Sequence, residues 1–111
     1  MAARFSLSAP LSHRLELQSR HEAVGEGGEL VTTWSPVARI WGALVDSRVV
    51  RDEEAQQNQE TAQHRVLIRH RNDVASGWRF LLDGRELAIL TVIDPDQSRR
   101  FLSCLCEEVA R

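Results

Sequence analysis

Between residues 51 and 63 the chain carries only two apolar side chains, Ala55 and Ala62, set among Asp52, Glu53, Glu54, Gln56, Gln57, Asn58, Gln59 and Glu60. Burying such groups unpaired costs about 1–3 kcal/mol apiece, so the segment has to face water. It runs straight into residues 64–70, where Val66 and Ile68 alternate with Arg65 and Arg69, the period-two pattern of a half-buried strand. A polar connection this long is uncommon inside a compact domain and, where present, is usually functional or disordered. Residues 46–63 are therefore read as the working loop, carried between two strands.

The chain has 111 residues, 42% hydrophobic and 27% charged, the profile of one soluble domain. A net charge of -2 and a pI near 6.1 give no bulk attraction to nucleic acid or to an anionic membrane. All 14 basic residues are arginines. Arginine suits bidentate contacts at interfaces, although coding bias explains the same usage more simply. Residues 1–20 contain no continuous apolar h-region, and no run approaches the roughly 18 residues needed to cross a bilayer. The expectation is a protein without a classical export signal and with no membrane partner. Cys104 and Cys106 lie two apart, on one face of a strand, where a disulfide between them is seldom allowed, so they read as reduced, space-filling thiols. His13, His21, His64 and His70 show no zinc spacing with that pair, and neither a metal nor another cofactor is expected.

Taken in order, residues 1–11 read as an N-terminal arm, and residues 12–111 as one domain. Leu15 and Leu17 alternate with Arg14, Glu16 and Gln18 in a first strand over residues 13–18, which Gly25, Gly27 and Gly28 then break. The chain returns through residues 30–34, and Pro36 is expected to end that piece because proline cannot donate to a sheet ladder. Residues 37–45 are apolar on both faces, and Gly42 inside them suggests a bend or a close backbone approach. After the 64–70 strand, Asn72, Asp73, Ser76 and Gly77 mark a turn with room for one helical turn at 73–76, and Trp78 should cap the core edge. Asp83-Gly84 between residues 79–82 and 85–94 is a type I′ hairpin signal. A last strand over residues 100–109 puts Leu102, Cys104 and Cys106 opposite Phe101 and Leu105. Short strands without a βαβ rhythm predict an all-β fold, a small antiparallel β-barrel or sandwich with a long polar inter-strand loop and at most one short helix.

Catalytic patterns are missing from the sequence. No GxSxG elbow holds a serine, and the carboxylates Asp52, Glu53 and Glu54 fall in a segment without the fixed geometry that acid–base work needs. The chain is read as a non-enzyme. Arg65, Arg69 and Arg71 form a basic stripe, which leaves a nucleic-acid-binding barrel as an alternative, but no strand alternates aromatic with basic residues into a stacking platform. Contacts with carboxylates of neighbouring proteins suit that stripe better.

The order of features carries a resemblance. His13-Arg14-Leu15, the tryptophan-to-alanine strand over residues 34–43, the polar segment, residues 63–71, the Asp83-to-Ile89 hairpin and the closing residues 102–108 follow one another as in a known family. The chain resembles the head-tail joining proteins (connectors, stoppers and adaptors) of long-tailed bacteriophages and gene transfer agents. It departs from their pattern at Gln63, where threonine is common, at His70, where tyrosine is common, and at Ala88, where the hairpin has an aromatic. The resemblance implies a non-enzymatic β-barrel subunit in the neck of a phage-like particle, assembled in the bacterial cytoplasm. It further implies a homo-oligomeric ring, sixfold in preference to twelvefold, between a portal or adaptor ring and the tail terminator. On that reading Arg48, Arg51, Asp52, Glu53, Glu54, Gln56, Gln57, Asn58, Gln59 and Glu60 form a channel loop passed by DNA without sequence-specific binding, while Arg65, Arg69 and Arg71 serve interfaces. A tail terminator or tail-completion subunit is the neighbouring alternative.

Overall fold

The structure, a computed structural model, describes residues 10–52 and 59–109, with the backbone alone at Arg51, Asp52, Gln59 and Val109. Six strands form in the order β1 (His13–Val24), β2 (Leu30–Asp52), β3 (Gln59–Arg69), β4 (Arg79–Leu82), β5 (Arg85–Ile93) and β6 (Phe101–Val109). Every pairing is antiparallel, and the sheet closes as β1-β2-β3-β6-β5-β4 with β4 returning to β1. Closure leaves the barrel itself without a free edge. The all-β expectation holds, and the described residues contain no helix, including at 73–76.

Period-two alternation decides which side chains fill the barrel. Leu15 and Leu17 from β1, Val66 and Ile68 from β3, Phe80 and Leu82 from β4, Leu87 and Ile89 from β5, and Leu102, Cys104 and Cys106 from β6 make one buried cluster. Trp78 packs against its edge, as expected. Burial pushes the Cys104 thiol up to about 12 and raises that of Cys106 further, so both are inert space-fillers at neutral pH. Asp83 and Gly84 take φ values of 49° and 81°, as the two-residue turn between β4 and β5 requires.

Two sequence expectations are corrected. Pro36 does not end a strand, because β2 runs through it. The register moves from Leu17–Ala38 to Gln18–Pro36, leaving Val37 as an extra residue, and a bulge is where a sheet accommodates a missing N–H. Nor is the whole of 46–63 a loop. Residues 46–52 continue β2 and residues 59–63 open β3, paired in register from Asp46–Arg65 to Asp52–Gln59. Polar residues on both faces are compatible with a two-stranded ribbon whose faces both meet solvent, and the β-branched Val49, Val50 and Thr61 favour extended backbone.

β2 is also too long to be straight. At about 3.3 Å per residue its 23 residues would reach roughly 75 Å, against a longest molecular dimension of 53 Å. It bends at Val37 and again where the β3 register skips Val45. Between these bulges Gly42 lies opposite His13, and a Cβ there would sit 2.5 Å from Leu15 Cδ1, 3.2 Å from the Leu67 carbonyl oxygen and 3.4 Å from Ile68 Cγ2. The expected close approach is therefore present. Gly42→Ala should cost about 1–3 kcal/mol, because Leu15 would have to leave a filled core, and a urea titration against the parent measures it.

Because β2 outruns its neighbours, ribbons leave the barrel at both of its ends. One is the β1–β2 arm around the Gly25–Gly28 turn, where residues 20–24 and 30–33 are exposed. Arg79 braces its base, stacking 4.1 Å over Trp34, donating to Gln18 Oε1 at 2.7 Å and pairing with Glu86 at 3.0 Å. The other ribbon is the β2–β3 hairpin.

Candidate functional site

The faces that bury apolar side chains inside the barrel end in polar residues at the mouth below the β2–β3 hairpin. The β3 column Ile68, Val66 ends in His64, the β6 column Cys104, Cys106 ends in Glu108, and the β5 column Ile89, Leu87 ends in Arg85. Ser47 lies opposite His64 in the β2–β3 ladder. These four side chains join into one chain of hydrogen bonds. Ser47 Oγ and His64 Nδ1 are 2.7 Å apart, His64 Nε2 and Glu108 Oε1 are 2.9 Å apart, and Arg85 grips both Glu108 oxygens at 2.8 Å. His64 is only 7% exposed.

Arg85, opposed by partial burial and helped by His64, holds the Glu108 carboxyl down at about 2. An ionised Glu108 accepts a hydrogen bond from His64 Nε2–H, and Nδ1 of the same ring meets the Ser47 hydroxyl. Serine, histidine and carboxylate in sequence are also the parts of an acyl-transfer site. Here Arg85 already occupies both Glu108 oxygens, and the nearby cleft of ≈ 230 Å³ is lined by Asp46, Arg48, Gln63, Arg65 and Leu105, on the other face of the sheet from Ser47. What the arrangement does is tie β2, β3, β6 and β5 together where the hairpin departs.

That tie has a pH signature. A carboxylate whose folded value lies below its unfolded one stabilises the fold above the unfolded pKa, near 4.5, and loses that contribution as pH falls toward about 2. Arg85 is 45% exposed, which screens the pair, so Glu108→Gln should cost about 1–2 kcal/mol at pH 7. The deficit should vanish in the acid limb of a pH series of urea melts.

The residues expected in the channel loop divide into three groups. Arg48 is exposed on the hairpin and donates to Gln63 Oε1 at 3.2 and 3.3 Å, while Glu60 is half-buried. Arg51, Asp52 and Gln59 are strand positions, and Glu53, Glu54, Gln56, Gln57 and Asn58 lie outside the described residues. β1 leaves β2 at His13–Gly42 and β6 leaves β3 at Val109–Thr61, so the hairpin beyond Val50 and Thr61 has no third strand among the described residues.

The arginine stripe is not brought together. Arg65 donates to Ser103 Oγ at 3.0 Å, and Arg71, beyond the end of β3, grips both Asp73 oxygens at 3.0 Å, which lowers the Asp73 pKa and raises its own. Arg69 alone of the three is exposed without a carboxylate among the described residues. The Ser47–His64–Glu108–Arg85 chain was not foreseen. His64 sharing a face with Val66 and Ile68 signals a buried histidine in need of partners, but Glu108 is 44 residues away and its register could not be known.

The comparisons agree with this architecture. The profile of the family described as phage head completion protein matches residues 7–109. A chain in the virion of a native gene transfer agent particle superposes with a TM-score of 0.74 at 17% identity, covering 89% of this chain and 94% of that one. Protein SF1141 from Shigella flexneri 2a, solved in solution, superposes with a TM-score of 0.58 at 26% identity over 88% of this chain and 92% of its own. No curated protein sequence matches. With its six-stranded barrel and a profile match over nearly its whole length, the chain belongs to the phage head completion protein family.

Proposed function

We propose that this chain is a structural subunit of the head-tail junction of a phage-like particle, repeated as a ring between portal or adaptor and tail, whose β2–β3 hairpin lines or gates the DNA channel. The observation that carries the reading is the hairpin itself, a ribbon extended beyond the closed barrel and rooted in the buried His64–Glu108 tie. Such a root fixes how residues 46–50 and 60–63 leave the barrel. Glu53, Glu54 and Glu60 bring like charge toward phosphate, and Gln56, Gln57 and Gln59 bring weakly binding amides, so duplex DNA would pass without being held. In a ring each of these effects repeats once per subunit. Sixfold symmetry is the favoured arrangement. Arg69 is the arginine best placed for a neighbouring protein's carboxylates, because Arg65 and Arg71 already have partners within the chain.

An electron-microscopic reconstruction of the assembled particle tests this. The expected result is a ring of these barrels at the neck with the β2–β3 tips toward the axis. Barrels at the neck with tips pointing outward would remove the channel role, and their absence from the neck would overturn the proposal.

A further inference from the structure

Two surfaces at opposite ends of β1 complement each other, and nothing within one chain joins them. The first is the tip of the β1–β2 arm. Val24 and Leu30 face each other across the ribbon at 70% and 71% exposure, and Val31 is also exposed. Glu26 and Glu29 flank them without a cationic partner among the described residues, whereas Glu22 is paired with Arg20. The tip is therefore apolar and acidic.

The second surface is the outer face of the barrel around Trp41, which is 50% exposed. Arg14, its cross-strand partner on β1, lies 4.9 Å from the ring centroid. Arg39 is two residues before it on the same face, and the ladder that sets Gly42 opposite Ile68 places Arg69 beside it on β3. All three arginines are exposed, and none has an ion-pair partner among the described residues. The one carboxylate in the group, Glu16 opposite Arg39, accepts from Gln18 Nε2 at 2.7 Å. This face is aromatic and basic.

We infer that the arm tip of one copy docks on the Arg14–Arg39–Trp41–Arg69 face of a second copy. Charge sign and apolar exposure both match, and the contact would remove Val24, Leu30, Val31 and Trp41 from water. The contact has to be between copies. Val24 is ten residues from Arg14 along β1, roughly 33 Å, and a paired ribbon cannot fold back over that distance. A contact between two different surfaces of one chain is heterologous, the kind that repeats head to tail and makes a ring where its rotation closes. The inference rests on the ring reading and adds the faces that make the ring.

Single-cysteine pairing reads this out, since Cys104 and Cys106 are buried and give no background. Ala23→Cys and Glu16→Cys proteins, which keep Val24, Leu30, Trp41 and all three arginines in place, are mixed under mild oxidation at high concentration. The expected result is heterodisulfide well above the half share of random pairing. That excess should be lost in Glu26→Arg, lost in Arg39→Glu, and regained when these two are mixed. A random product distribution, or a preference for either homodisulfide, overturns the assignment. Protection of Trp41 by DNA rather than by a second copy would overturn it in favour of nucleic acid. A ring at the particle neck that survives Trp41→Asp would reject these faces while leaving the connector reading in place.

Discussion

Replacing residues 51–60 with an Asn-Gly turn is expected to leave the barrel as stable as the parent and to abolish retention of packaged DNA. Val50 and Thr61 are register partners, so a two-residue type I′ turn can join them without moving any other pair. Thr61 is also the last β3 residue paired with β6, which means the replacement removes only backbone without a third strand among the described residues. None of the buried cluster lies in it. The melting temperature should therefore stay within about 2–4 °C of the parent, a shift worth at most about 1 kcal/mol. Particles assembled with the shortened chain should lose nuclease-protected DNA. If they retain and deliver DNA as the parent does, the hairpin is an interface ribbon and the gating role is wrong.

The sequence disclosed the barrel more fully than its ribbons because alternation reports burial, not pairing. Val66 and Ile68, Leu102 with Cys104 and Cys106, and the Asp83-Gly84 turn each carry a local signal, and each takes the expected place. Residues 46–52 and 59–63 carry little beyond the β-branched Val49, Val50 and Thr61, because the support of such a ribbon is cross-strand register, a non-local quantity. The same blindness extended the supposed break at Pro36, where a bulge opposite Leu17 and Gln18 absorbs the missing N–H. It also hid the aromatic-basic face. Arg39 and Trp41 do alternate on β2, but Arg14 and Arg69 reach them from strands whose register could not be read from one chain. Of the arginine stripe at 65, 69 and 71, parity correctly grouped Arg65 with Arg69, and it failed at Arg71 because β3 ends at Arg69.

Phe80→Ala should come close to unfolding the protein. Phe80 is the largest completely buried side chain among the described residues, and it sits on β4, a strand of four residues that joins β1 to β5. That strand meets β1 in only three register pairs, Glu16–Leu81, Leu17–Phe80 and Gln18–Arg79. Emptying the Phe80 site removes core contacts with Leu17 and Leu87, its partners in the two ladders, at the seam where the barrel closes. Truncating a buried phenylalanine costs about 3–5 kcal/mol, and a domain of this size is stable by about 5–15 kcal/mol. The loss should exceed that of any single substitution on either ribbon, and Phe80→Leu, which keeps most of the volume, should recover more than half of it. Urea denaturation gives the free energies. Hydrogen exchange gives the location, with amides of the β1–β4 ladder losing protection before those of the β2–β3 ladder. A Phe80→Ala loss below about 1 kcal/mol would mean that β4 is not the closing strand of a packed barrel.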